Sequence, residues 1–125
     1  MAYSNIHSIQ SFKAGAADLA YGTAVKLDTS KTDEATVIQA TSAADDVTGF
    51  VFNPVYVEGQ TVGIQMSHKC EVVAGGAVAI GEYVAPTTGG RLVKASSGKY
   101  VGQAVTAAAN AGDYFTILIK KGTLA

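Results

Sequence analysis

The sequence predicts an all-β protein. The expected form is a small barrel or sandwich of about 8–10 short strands in two similar halves, behind an extended N-terminal arm. Three observations carry this. The first is a plan written twice: Val47–Met66 reads VTGFVFNPVYVEGQTVGIQM and Tyr100–Ile119 reads YVGQAVTAAANAGDYFTILI. An offset of 53 residues carries Gly49 onto Gly102, Gly59 onto Gly112 and Ile64 onto Ile117. Each copy is a short apolar strand with a glycine, a loop closed by a second glycine, and an alternating strand. The second observation is spacing, since turn residues recur about every eight to twelve positions between β-rich runs. The third is that no segment keeps the apolar period of a long amphipathic helix.

Residues 1–14 are the least regular part and form the expected arm; residues 15–125 form one β domain. Ile6, Ile9 and Phe12 are three apart in an otherwise polar stretch. They mark either an arm that orders on a partner, by adding a strand to an exposed sheet edge, or a frayed terminus. Ala14–Ala20 is a small-residue connector. Thr23–Asp28 (TAVKLD) alternates as a half-buried strand, and Ala35–Ala40 (ATVIQA) should pair back on it as a hairpin across the polar turn TSKTDE. Asp45 and Asp46 fall in a loop, as solvated residues.

Val47–Asn53 is the next strand, with Phe50 and Phe52 on one face and Val51 on the other. Pro54 ends its ladder because proline has no N–H to donate. The loop Asn53–Glu58 (NPVYVE) carries apolar Pro54, Val55, Tyr56 and Val57 where polar residues are usual. Such a tip is either folded back on the core or docked on a partner. In Thr61–His68 the alternation points Val62, Ile64 and Met66 inward, and Lys69–Ala74 continues the sheet. Gly75-Gly76 reads as a tight turn where positive φ is cheap. Strands flank Gly81, the loop PTTGG and the turn SSGK. Tyr100–Thr106 and Asp113–Ile119 close the domain.

Composition excludes several function classes. Nine Lys+Arg against ten Asp+Glu give a net charge of -1, no electrostatic footprint for nucleic acid or an anionic membrane. Only 15% of residues are charged, which suits a surface that lies against another protein as well as a bland small domain. Cys70 is the single cysteine, so no internal disulfide forms, and a cytosolic site of assembly fits better than secretion. Met1–Gln10 has no signal-peptide pattern, and no window approaches the ~18 apolar residues of a membrane helix.

No motif specifies chemistry. His68 and Cys70 share a strand face, but a zinc site needs about four ligands and only His7 and scattered carboxylates remain. No metal and no cofactor is expected. Ser97-Gly98-Lys99 ends like a phosphate loop, yet Val93 stands where that motif needs glycine, and a strand follows instead of a helix. Asp33-Glu34 and Asp45-Asp46 sit in polar turns with nothing to oppose them across a cleft. An enzyme is not expected. A carbohydrate-binding domain would need exposed aromatic platforms, for which Tyr56, Tyr83 and Tyr114 are the candidates. A lipoyl-type carrier would need a lysine at a hairpin tip, and Lys69 lies within a strand.

From Gly22 to Ile119 the chain resembles the small capsid decoration (cement) proteins of tailed bacteriophages. The likeness rests on AVKLD after Gly22, VTGFV followed by GQTVGIQM, CEVVAGGAVAIGEYVAP, Gly89-Gly90 before RLVKA, and the closing YVGQAVTAAANAGDYFTILI. It implies a non-enzymatic virion protein, assembled in the host cytoplasm, that binds the major capsid protein on the outside of an icosahedral shell. It also implies a stabilising role and a homotrimer. Ile6, Ile9, Phe12, Pro54, Val55 and Tyr56 are then the candidate capsid or subunit contacts. The arm and the NPVYVE loop depart from the shared pattern.

Overall fold

A computed structural model describes residues 9–32 and 34–125. Ten strands and one 3-10 turn, Thr88–Gly90, make up its regular structure. In chain order the strands are β1 (Ile9–Ala14), β2 (Ala24–Leu27), β3 (Thr36–Gln39), β4 (Val47–Val51), β5 (Thr61–Gln65), β6 (Lys69–Val73), β7 (Tyr83–Pro86), β8 (Leu92–Lys94), β9 (Gly98–Ala104) and β10 (Tyr114–Leu124). The all-β class and the two similar halves are as expected.

The first five strands close a barrel in the order β1-β3-β2-β4-β5. β2 and β3 form the expected antiparallel hairpin, with Val25 opposite Gln39. β1 closes the ring by lying parallel to β3 and antiparallel to β5, with Phe12 opposite Val62. The second five strands repeat the order as β6-β10-β9-β7-β8, and a single parallel bridge, Ala74 to Leu92, joins the two edges.

The repeat is deeper than the two glycine pairs suggested. Leu19 and Val55 exchange backbone hydrogen bonds at 3.0 and 2.9 Å, and Val78 and Ala108 exchange both at 2.9 Å. Gly22 donates to Val51 as Gly81 donates to Ala104, and Gly59 to Ala14 as Gly112 to Ala74. Even side chains match: Asn53 Oδ1 accepts from Gly63, and Thr106 Oγ1 accepts from Thr116, each at 2.8 Å. The first core is Ala14, Leu19, Val25, Val37, Val51, Val55, Val62 and Ile64. Their counterparts Ala74, Val78, Val84, Leu92, Ala104, Ala108, Phe115 and Ile117 all lie in the second core.

That second core also takes in Ala24, Ala40, Val47 and Phe50 from the first half, so the two barrels share one packed joint. Strand β4 is therefore buried on both faces. Val51 fills the first barrel while Phe50 fills the joint, each 1% exposed. Burying a phenylalanine in this way contributes about 2–3 kcal/mol.

Four expectations change. Ile9–Ala14, given to the arm, is barrel strand β1; only residues 1–8 precede it, and they lie outside the described residues. Its outer side chains Ser11 and Lys13 face water, which hid its strand pattern. Lys69–Ala74 does not continue the first sheet but opens the second, paired with β10. Met66 does not point inward. Strand β5 ends at Gln65, whose amide holds the turning chain at Ser67 O and Lys69 O, and Met66 is 40% exposed. Gly75 is needed for space, not for positive φ: a Cβ there would meet Thr87 and Val93 at 2.9 Å.

Candidate interaction surface

The candidate contact residues separate into three groups. Ile6 lies outside the described residues. Ile9 and Phe12 are half-buried in β1, and Phe12 packs against the first core. The loop after β4 divides by side chain. Val55 is fully buried, held by its two-way bridge to Leu19, so it is a core residue and offers no contact. Pro54 is half-buried, while Tyr56 and Val57 stand out at 70% and 64% exposure. The centre of the loop folds back on the core, and its tip projects into solvent.

Phe52 was placed in the strand and is instead just past its end, 48% exposed. Alternation pointed it to the face of Phe50, but the joint that covers Phe50 does not extend over it. Leu27, Met66, Ile80, Val105, Tyr114 and Leu118 are further exposed apolar side chains. Of these, Leu27 and Met66 share a place. They line an open cleft of about 520 Å³ with Ile38, Lys26, Asp46 and Lys121. Nothing in the local sequence marks this cleft, because β2, β3, β4 and the residue after β5 each contribute one part of it.

The charges around the cleft are paired. Lys26 meets Asp45 at 3.1 Å, and Lys121 meets Asp46 at 3.9 Å. The N–H of Thr41, then Lys26 and the N–H of Ser42, hold the Asp45 carboxyl below the usual carboxylate range. Asp28 is lowered too, by the hydroxyl and N–H of Ser30. So Asp45 is a turn-organising residue, not the merely solvated one expected. Groups tied into ion pairs and turns in this way are poor candidates for acid–base work at neutral pH.

The other titratable groups are dispersed. Cys70 is buried, and burial, with Glu71 nearby, pushes its thiol up to about 12. His68 has left-handed backbone (φ 71°) and contacts the Ser67 hydroxyl at 2.8 Å. Among the described residues no three His, Cys, Asp or Glu side chains gather as metal ligands would. Of the three tyrosines named as candidate sugar platforms, Tyr83 and Tyr114 are engaged at their rings, whereas Tyr56 is 70% exposed. Tyr83 stacks on Tyr100 at 4.4 Å beneath Lys120, and Tyr114 meets Tyr21 at 5.9 Å. Tyr21 in turn donates to Glu71 at 2.9 Å; its hydroxyl is pushed up to about 12 by burial and that bond.

The two-barrel fold has a solved counterpart. The chain is similar to a structure described as the head fiber gp8.5 N base in bacteriophage phi29. The TM-score is 0.75 at 17% identity, over 94% of this chain and 97% of that one. The likeness is one of fold, and it spans both barrels and their joint. No protein-family model and no curated protein sequence matches the chain.

Proposed function

We propose that this chain is a structural virion protein of a tailed bacteriophage, a decoration or fiber-base protein that sits on the outside of the icosahedral head and stabilises it. The observation that carries the reading is the whole-chain fold match to a phage head fiber base. The exposed apolar side chains of both barrels support it, because a protein that works by contact needs such surface. The low charge fits many copies lying close together on one lattice. Each contact can then be modest, since copies on a shell act together.

In this reading the major capsid protein is the partner, the chain is a homotrimer, and its place is the virion exterior after assembly in the host cytoplasm. It carries no catalytic role. The N-terminal end meets the shell: the segment ahead of β1, with Ile6, and Ile9 at the strand's start. Phe12 and Val55 serve the core instead. The test is co-sedimentation of the purified protein with expanded and unexpanded empty shells. Binding selective for expanded shells is expected, and deletion of residues 1–8, which spares β1, should weaken it. Absence of binding to either shell would overturn the reading.

A further inference from the structure

The geometry points to a subunit contact: the Asn53–Glu58 loop of one copy seats in the Leu27–Met66 cleft of a second copy. This rests on the self-association part of the proposed function and not on shell docking. The chain places the two features at opposite poles of the first barrel. β4 starts at the cleft, where Val47 and Thr48 line it, and ends at the loop. β5 starts beyond the loop and ends beside Met66. Projection and recess therefore face away from each other and find their complements only on another copy.

The protein contains its own control for the loop. The second barrel builds the same turn 53 residues on, with matching bonds. The Tyr56 N–H meets Gln60 Oε1, and the Ala109 N–H meets Asp113 Oδ2. The N–H of Gln60 bonds Val57 O, and that of Asp113 bonds Asn110 O, each at 3.2 Å. Where the first barrel has Phe52, Tyr56 and Val57, the second has Val105, Ala109 and Asn110. The turn folds without the bulky side chains, so their bulk serves something outside it. The bonds also hold the tip in place, which reduces the entropy lost on docking.

The cleft matches the tip in chemistry. It offers Leu27 at 48% and Met66 at 40% exposure to Tyr56 and Val57. Glu58, next to Val57, is acidic; the cleft carries Lys26 and Lys121 as well as Asp28 and Asp46, and Lys121 is the cation at its rim that Glu58 would meet. Lys121 donates to the Val47 carbonyl and lies 3.9 Å from Asp46, with its side chain 51% exposed, so the ammonium is held at the rim with a donor left to meet a second carboxylate. A one-way contact of this kind is heterologous and closes into a ring when its rotation permits, as a trimer requires.

Sedimentation and light scattering on the full chain test the proposal. The wild type should have a mass at least twice the 12.7 kDa of one chain. Tyr56→Ser with Val57→Asn removes the projection, and Met66→Glu spoils the recess. Each variant alone should sediment as one chain with an unchanged circular dichroism spectrum. Mixed in equal amounts, they should form two-chain complexes, because one intact loop meets one intact cleft. A wild type that stays at one chain, variants that keep the wild-type mass, or a mixture that stays single would each overturn the proposal. Shell co-sedimentation of the same samples is a separate readout. Failure there with the masses as expected sinks shell docking and leaves the subunit contact standing.

Discussion

Val73 donates its amide hydrogen to the carbonyl of Gly22 at 3.1 Å, and this bond runs across the joint between the barrels. In the first barrel the equivalent N–H, that of Lys13, turns inward to Ala35 O at 3.1 Å and helps close the ring. At the far end the Gly81 carbonyl, counterpart of Gly22, is taken by Gln103 Nε2 at 3.1 Å. The joint is thus used once, and both ends of the two-barrel array are capped, as terminal units of repeat proteins generally are.

The glycine pair at this joint gives the first prediction. Gly22 and Gly81 share left-handed backbone, φ 79° and 89°. A Cβ at Gly22 would press on Val72 Cα at 3.2 Å and Glu71 O at 3.3 Å, whereas at Gly81 nothing lies within 4 Å. Gly81→Ala should cost about 1–2 kcal/mol, the strain of positive φ alone. Gly22→Ala should add an overpacking cost of about 1–3 kcal/mol. Urea unfolding of the two variants measures the difference, and equal losses would show that the joint is not tight at Gly22.

Transplanting the second loop's side chains into the first gives another. At concentrations low enough to keep one chain per particle, Tyr56→Ala with Val57→Asn should change folding stability by no more than about 0.5 kcal/mol, as for exposed positions generally. Val55→Ala beside them empties part of the core and should cost about 1–3 kcal/mol. A loop variant as unstable as the core variant would mean that the tip supports the fold.

Cys70 reports on the integrity of the second barrel. With its thiol pushed up to about 12 by burial, almost no thiolate exists at pH 8. Labelling by a thiol reagent should be at least about 100-fold slower in the native protein than in urea, given an unperturbed value of about 8.5. Fast native labelling would reveal opening between β6 and its neighbours.

Acid should weaken the fold through carboxylates held by turns. Asp45 is lowered by Thr41 N–H and then Lys26, and Glu82 by Ala79 N–H and then Lys94. Groups with a folded-state pKa below the unfolded one bind more protons when unfolded, so their stabilisation is present above about pH 4 and lost as pH falls below it. The urea midpoint should be level between about pH 5 and 7 and drop in more acid solution. Asp45→Asn should flatten that drop; a slope identical to wild type would sink the assignment.

Half of the repeat was legible in the sequence because β4–β5 and β9–β10 keep a constant offset through loops of equal length. The remaining strands repeat with other offsets: 60 from Ala14 to Ala74, 59 from Leu19 to Val78, 55 from Val37 to Leu92. Unequal turns around β3 and β8 broke the register that a fixed comparison needs. Of the candidate contacts, Tyr56 is exposed as expected, while Val55 looked the same in sequence and proved to be core. Alternation assigns faces within a strand but not along a loop, where one backbone bridge decides which side chain turns in. The cleft had no local signal, since its walls come from β2, β3, β4 and β10 together with residues between strands, Met66 among them.

By itself the sequence determined the β class, the doubled strand–loop–strand plan, the hairpin of β2 and β3, and the lack of any motif for catalysis. These follow from near-neighbour rules of apolar period, glycine and proline placement, and turn chemistry. Tertiary structure alone decided that β1 belongs to the barrel, that Phe50 faces a joint while Val51 faces a core, and that Leu27 and Met66 line one cleft. Those outcomes depend on which surfaces distant segments bury against one another, and burial is a property of the packed chain.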